Sequence, residues 1–266
     1  MLRMMTIAIL NNFLSALLFL CWGSFLNVMA YRILYGVPFF GPNSARSRCP
    51  HCKQVIAWYD LIPVVSWLLL RARCRWCTAP ISWLYPLIEL LALLSLGGLY
   101  AYVSPHYWLA YGILFSALII TIRTDLEAFI ILRPFTLGIL PLGVFFSYFG
   151  LLPITSTSSI LGAILGFFLL GSVRYGYYWY TGEHGMGDGD PELLATIGAF
   201  VGPMGCWLAL MIGSCMGSLV GLCLFWRYGA EARKKPLPFG PFLAIGAFIA
   251  VIFQEQIMLL LTAYLV

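Results

Sequence analysis

Charged side chains are scarce in this sequence. Only 9% of its 266 residues are charged, whereas 62% are hydrophobic, and the mean hydropathy is +0.92. A soluble domain of this length needs far more charge to stay dispersed, so the scarcity excludes a soluble enzyme. The composition instead predicts an all-α, polytopic helical membrane protein whose main surroundings are the lipid bilayer.

Windows of about 20 apolar residues predict about eight transmembrane helices. They lie near 6–29, 85–103, 107–123, 133–150, 158–178, 191–203, 205–226 and 240–263. One large polar insertion separates the first helix from the others. We therefore expect three parts: a first transmembrane helix over 1–30, a loop over 31–84 and a membrane core over 85–266.

The basic residues are concentrated in two loops. Of the 15 lysines and arginines, seven lie in 31–84 and four lie in 227–235. The loops on the opposite side, near 104–106, 150–157 and 202–204, carry none. Because basic loops stay on the cytoplasmic side of a membrane, we expect both basic loops to face the cytoplasm. This distribution also explains the net charge of +5 without a nucleic-acid partner.

Four cysteines in the 31–84 loop form two CxxC pairs, Cys49 with Cys52 and Cys74 with Cys77. Four thiolates at this spacing can surround one tetrahedral Zn²⁺. Two disulfides are the alternative, and the reducing cytoplasm disfavours them. We expect a structural zinc, because four cysteines leave no open coordination position and the loop is too small to form its own core.

Carboxylates stand beside apolar segments in the stretch GMGDGDPELL, residues 185–194. An ionised acid near hydrocarbon costs several kcal/mol, so acids in such places are candidates for function. Asp125 and Asp190 lie at the cytoplasmic ends of the third and sixth predicted helices. Two carboxylates brought together in a dry site share a proton, which is the arrangement of aspartic proteases.

Two other interpretations of these acids remain open on the residues alone. Asp188 and Asp190 can cap a helix that starts at Pro191. Alternatively, the chain is a membrane transporter or ion-binding protein in which Asp125 and Asp190 couple to a cation or a proton. The glycines at 185, 187 and 189 favour close approach of backbone and substrate at this point.

Six stretches, in chain order, resemble the type IV prepilin peptidases, which are GxGD-type intramembrane aspartic proteases. They are GSFLNVMAYR (23–32), SRCPHC (47–52), IPVVSWLLLRARCRWC (62–77), ISWLYPLIE (81–89), GMGDGDPELLATIGAFVG (185–202) and PFGPFLAIG (238–246). The resemblance implies an enzyme of the bacterial inner membrane that cleaves the leader of type IV prepilins or type II secretion pseudopilins. It makes Asp125 and Asp190 the catalytic pair.

The resemblance also implies a second activity. Many members of the family methylate the new amino terminus of the cleaved pilin with S-adenosylmethionine. Glu89 matches the family's YPLIE stretch, and Arg71 and Arg73 stand where the family has basic residues before its third cysteine. We therefore expect these three residues to bind S-adenosylmethionine. The alternative for Glu89 is an acid at a helix end that pairs with a loop arginine.

Three positions depart from the family pattern. Glu192 stands where the family usually has lysine, so the charge is reversed. The stretch Leu132-Arg133-Pro134 replaces a Leu-Pro-Asp stretch and lacks its acid. Asp188 occupies a variable position of the GxGD motif and adds a third acid beside Asp190.

Overall fold

The computed structural model describes residues 2–39, 46–183, 185–229, 237–253 and 256. Within these residues the chain is helical and has no β-strand, which confirms the all-α prediction. The helices are α1 (Leu2–Leu34), α2 (Val65–Leu69), α3 (Leu84–Tyr102), α4 (Trp108–Ala128), α5 (Leu140–Tyr148), α6 (Ser156–Thr181), α7 (Gly189–Tyr228) and α8 (Gly240–Ile252). Five of the described helices are long and apolar enough to cross a membrane.

The chain forms two compact units, residues 1–97 and 98–266. In the first unit, α1 packs directly against α3. A Cβ added at Gly23 would lie 2.7 Å from Ala92 Cβ, so only glycine allows the two helices to come this close. The Asn27 side-chain amide donates to the Tyr85 carbonyl oxygen at 3.1 Å. Both residues of α1 belong to the stretch GSFLNVMAYR, which therefore serves helix packing.

In the second unit, α6 packs against the first part of α7 with almost no side chain between the two backbones. A Cβ at Gly162 would overlap the carbonyl oxygen of Gly198, and a Cβ at Gly166 would lie 2.5 Å from the Leu194 carbonyl oxygen. The Ser159 hydroxyl donates to the Ala199 carbonyl oxygen at 2.6 Å. Small residues and interhelical hydrogen bonds are the usual means of holding helices together in lipid.

Helix α7 is interrupted at Gly202, whose φ of 71° and ψ of −178° are not helical. The Cys206 sulfur lies 3.9 Å from the Leu194 carbonyl oxygen, whereas residues twelve apart in a straight helix are separated by about 18 Å. The chain therefore turns back at Gly202, and glycine is the residue that tolerates this φ. Residues 189–201 and 203–228 form two helices, in agreement with those predicted near 191–203 and 205–226.

The prediction of a membrane-crossing helix over 133–150 is wrong in its length. This region contains a 3-10 turn at Arg133–Phe135 and then α5, which has nine residues. Nine residues span about 13 Å, less than half of the ~30 Å hydrocarbon core. A Cβ at Gly143 of α5 would lie 2.9 Å from the Ala199 carbonyl oxygen. One face of α5, with Gly143 and Phe146, is therefore buried, whereas Leu142, Phe145 and Tyr148 are exposed.

Two other boundaries differ from the prediction. Helix α4 continues to Ala128, five residues beyond the predicted end at 123, so Asp125 lies within its last turn. The last helix is described over Gly240–Ile252, and the rest of its predicted range, to 263, falls largely outside the described residues.

Replacement of Gly162 by alanine tests the contact between α6 and α7. The new methyl group would overlap the Gly198 carbonyl, so we expect a loss of about 1–3 kcal/mol in the free energy of unfolding. The matched control is Gly171→Ala on the same helix, where an added Cβ meets nothing within 4 Å. Unfolding of the purified protein in mixed detergent measures both, and equal stability of the two variants would contradict the packing described.

Candidate active site and metal centre

The four cysteine sulfurs of the first unit converge on one point. They all lie within 4.8 Å of one another, and Cys49 Sγ is 3.8 Å from Cys77 Sγ. Thiolates around a tetrahedral Zn²⁺ at about 2.3 Å are about 3.8 Å apart, whereas a disulfide requires about 2.05 Å. All four are free cysteines. The cluster can hold one metal ion, and its four thiols are not joined in disulfides.

The two CxxC segments fold into the same turn. In each, the N–H of the first cysteine donates to the carbonyl five residues later, at 2.9 and 2.8 Å. In each, the residue after the second cysteine donates back to the first cysteine's carbonyl at 3.0 Å and has a positive φ, 60° at Lys53 and 56° at Thr78. Such backbone strain persists where surrounding contacts require it, and gathering four sulfurs is such a requirement.

The second CxxC turn also lowers the pKa of its first cysteine, Cys74. The pKa of Cys74 is lowered to about 7 because the backbone N–H groups of Cys77 and Trp76 donate to its sulfur. A lower pKa favours the thiolate, which is the form that binds metals. Arg75 makes a bidentate ion pair with Asp60, at 2.9 and 2.6 Å, and this pair attaches the turn to the 3-10 helix at 58–61.

Glu89 is buried in α3, with 6% of its surface exposed. Its Oε2 accepts the N–H of Val64 at 2.8 Å. Glu89 is thus held by a loop backbone group, whereas the alternative interpretation expected a loop arginine. Arg71 and Arg73 are exposed on the turn that precedes Cys74.

The second unit brings Asp125 and Asp190 together. Asp125 lies in the last turn of α4 and Asp190 in the first turn of α7, and each is only 5% exposed. The N–H of Gly240 donates to Asp125 Oδ2 at 3.0 Å. A Cβ at Gly187 would lie 3.3 Å from Asp190 Oδ2, so the backbone before α7 lies against that carboxylate. Two carboxylates buried in one dry site favour a state in which one of them is protonated.

Three chain segments meet at this pair: the loop after α4, the start of α7 and the start of α8. A Cβ at Gly189 would lie 2.5 Å from Ile131 Cβ, and a Cβ at Gly240 would lie 2.7 Å from Asp125 Oδ2. A Cβ at Gly185 would meet the ring of Tyr177 at 2.5 Å. The prediction that these glycines leave room for substrate therefore needs correction at 185 and 189, where the chain's own side chains occupy the space.

Asp188 is placed differently from the two buried acids. Its side chain is 71% exposed and forms an ion pair with Arg174 of α6. It makes no capping hydrogen bond to α7. The Asp190 carboxylate lies against the backbone of Gly187, which precedes the helix. These contacts do not support the interpretation in which the two acids act as helix caps.

Three residues near the two acids, Arg133, Thr136 and Glu192, make contacts that were not predicted from the sequence. Glu192, 8% exposed, is held by Arg133 Nε at 3.3 Å and by the Thr136 hydroxyl at 3.5 Å. The reversed charge at 192 and the basic residue at 133 were both visible as departures from the family pattern. They were not connected with each other, because nothing in the sequence places the two segments side by side.

An ion pair between the buried Arg123 and the half-buried Glu127 was also not predicted. Arg123 is 1% exposed and lies in α4, one turn before its partner. The spacing of four residues is the signal that could have identified this pair, since side chains at i and i+4 are neighbours on a helix.

Two family models match the chain. The model of the bacterial peptidase A24 N-terminal domain covers residues 17–103, which contain the cysteine cluster and Glu89. The model of the type IV leader peptidase family covers residues 112–222, which contain Asp125 and Asp190. No solved structure matches the chain.

Three relatives illustrate the similarity, and each is named prepilin leader peptidase/N-methyltransferase. The protein of Aeromonas hydrophila is 32% identical, with 88% of each chain covered. That of Stutzerimonas stutzeri is 35% identical over 79% of this chain and 73% of the relative, and that of Dichelobacter nodosus 34% over 93% of each. This chain therefore belongs to the type IV leader peptidase family, which confirms the resemblance drawn from its sequence.

Proposed function

We propose that this protein cleaves the leader peptide of type IV prepilins or type II secretion pseudopilins, with Asp125 and Asp190 as the catalytic pair. The observation that carries the proposal is that these two buried carboxylates, from helices far apart in the sequence, lie where the same three segments meet around Ile131. The names of the relatives support the substrate class and the reaction.

The arrangement suits hydrolysis by a water molecule held between the two acids. The ionised carboxylate takes a proton from water while the protonated one donates to the carbonyl oxygen of the scissile bond. The resulting hydroxyl adds to the carbonyl carbon, the C–N bond breaks, and a proton returns to the departing amine. The N–H of Gly240 fixes the Asp125 carboxylate, and the Gly187 backbone lies against that of Asp190, so little reorganisation is needed during the reaction.

The proposed setting is the bacterial inner membrane. The distribution of lysine and arginine supports a cytoplasmic position for the 31–84 loop and for the ends of α4 and α7 that carry the acids. In this arrangement residues 1–30 form the first transmembrane helix and residues 85–266 the membrane core. The substrate, a prepilin or pseudopilin, would reach the acids at the cytoplasmic end of its own hydrophobic helix.

The metal of the first unit is proposed to be Zn²⁺, held by Cys49, Cys52, Cys74 and Cys77. Four thiolates suit zinc, and they leave no position for substrate, so the ion would stabilise the loop and take no part in bond cleavage.

Methyl transfer to the new amino terminus is the second proposed activity, with S-adenosylmethionine supplying the methyl group. Arg71 and Arg73 are exposed cations that suit the carboxylate of this cofactor. The Glu89 carboxylate accepts the Val64 N–H, so its contribution would be to hold the loop that carries the two arginines. The transporter alternative is not favoured, because the family and its named members are peptidases.

Substitution of each acid tests the peptidase proposal. We expect Asp125→Asn and Asp190→Asn each to lower prepilin cleavage by at least about 10³-fold, since each removes a group that transfers a proton. Asp188→Asn is the matched control and should cleave at close to the wild-type rate, because Asp188 is exposed. Cleavage by purified protein in detergent is followed by the mass of the pilin product. Normal cleavage by either buried-acid variant would rule out the proposed pair.

Removal of one thiol tests the zinc proposal. We expect elemental analysis of the purified protein to find one zinc per chain, and Cys74→Ser to lose it. Cys206→Ser is the control, because Cys206 is buried in the other unit and its loss should leave the metal content unchanged. A metal-free wild-type protein, or zinc retained in Cys74→Ser, would show that the cluster does not hold zinc.

Glu89 variants test the methyl-transfer proposal. We expect Glu89→Ala to lower transfer of labelled methyl groups to mature pilin on the order of tenfold, because the Val64 N–H loses a charged acceptor. Glu89→Gln keeps an acceptor oxygen and should restore most of the transfer, and leader cleavage by both variants should remain near wild type. Equal methylation by wild type and Glu89→Ala would count against this role.

A further inference from the structure

The loop that follows Asp125 is attached to the helix that carries Asp190 through one buried carboxylate. Arg133 Nε lies 3.3 Å from Glu192 Oε1, and the Thr136 hydroxyl donates to Glu192 Oε2 at 3.5 Å. Glu192 lies two residues after Asp190 in the first turns of α7. These contacts therefore attach the loop that follows Asp125 to the first turns of α7. The attachment through Arg133 and Glu192 lies two residues from Asp190.

The two members of the ion pair are unequal in their surroundings. The side chain of Arg133 is 72% exposed, whereas that of Glu192 is 11% exposed. An exposed arginine without a partner is hydrated at little cost. A buried carboxylate without its partner is unfavourable, because the low-dielectric interior does not replace the lost hydration. The ion pair with Arg133 stabilises the buried Glu192 carboxylate, and this interaction holds the loop in its position.

The loop in turn packs against the candidate active site. Ile131, two residues before Arg133, is the side chain that a Cβ at Gly189 would meet at 2.5 Å, and its Cδ1 would lie 3.5 Å from a Cβ at Gly240. Gly189 adjoins Asp190, and Gly240 donates to Asp125. A shift of the loop therefore moves groups that contact both acids.

We infer that Arg133 and Glu192 are a positioning pair that sets the separation of Asp125 and Asp190, an inference that rests on the proposed peptidase function. Arg133 and Glu192 are also two of the positions at which the sequence departs from the family pattern, and the contact between them gives both departures one role.

Exchange of the two charges of the ion pair tests the inference. The full-length protein is assayed with a prepilin substrate, and kcat and KM are measured separately. We expect Arg133→Asp and Glu192→Lys each to lower kcat by about 10- to 100-fold, the effect of displacing reacting groups by roughly 1 Å, with little change in KM. The double variant should recover most of the lost kcat, because the ion pair is restored with opposite polarity. Arg133→Lys should stay close to wild type.

Asp188→Asn is the control, since it removes the exposed ion pair beside the same motif. Thermal unfolding of every variant separates misplacement of the acids from loss of folded protein. If Arg133→Asp does not fold, Arg133→Gln removes the charge with a milder change and is expected to show the same loss of kcat.

Single variants with wild-type kcat, or a double variant no better than the worse single one, would overturn the inference. A fall in kcat that only matches the loss of folded protein would overturn it as well. A wild-type protein that does not cleave prepilin would instead contradict the proposed function, so the two failures are distinguishable.

Discussion

The structure of the second unit depends on the burial of two carboxylates without a cation between them. Among the described residues, four acids form ion pairs with arginines, and Asp125 and Asp190 belong to none of these pairs. The paired acids are Asp60, Glu127, Asp188 and Glu192. Because an isolated buried charge is unfavourable, two buried carboxylates without a cation are stabilised by a proton on one of them and by backbone N–H groups such as that of Gly240. The proposed hydrolysis needs this same state, with one acid protonated and the other ionised.

The close glycine contacts of the second unit follow from this constraint. The backbone N–H groups can reach the acids only if the segments that carry them come very close. Gly240 and Gly189 permit that approach at the acids themselves, where a Cβ would meet Asp125 Oδ2 and Ile131. The packing of α6 on α7 through Gly162 and Gly198 keeps the helix of Asp190 in place from the other side. The geometry of the site therefore depends directly on the close packing of these helices.

The parts of the molecule that sequence could predict are those in which the deciding residues are close together in the chain. The cysteine cluster was predictable because each CxxC turn brings two ligands together locally. The convergence of Asp125 and Asp190 was predictable from topology, since both predicted helices end at the same side of the membrane. The length of α5 was not, because an apolar segment buried against α7 and one surrounded by lipid have the same composition. The backbone contact of Gly240 with Asp125, across 115 residues, likewise depends on how the helices pack.

The ion pair of Arg133 and Glu192 shows why departures from a family pattern can be more informative than its matches. Each departure alone looked like a weakening of the motif beside a catalytic candidate. In three dimensions the two charges neutralise each other beside the acids, and the buried member explains why the exposed one must be basic. In this chain the two departures are therefore better described by the contact they make than by the residues they replace.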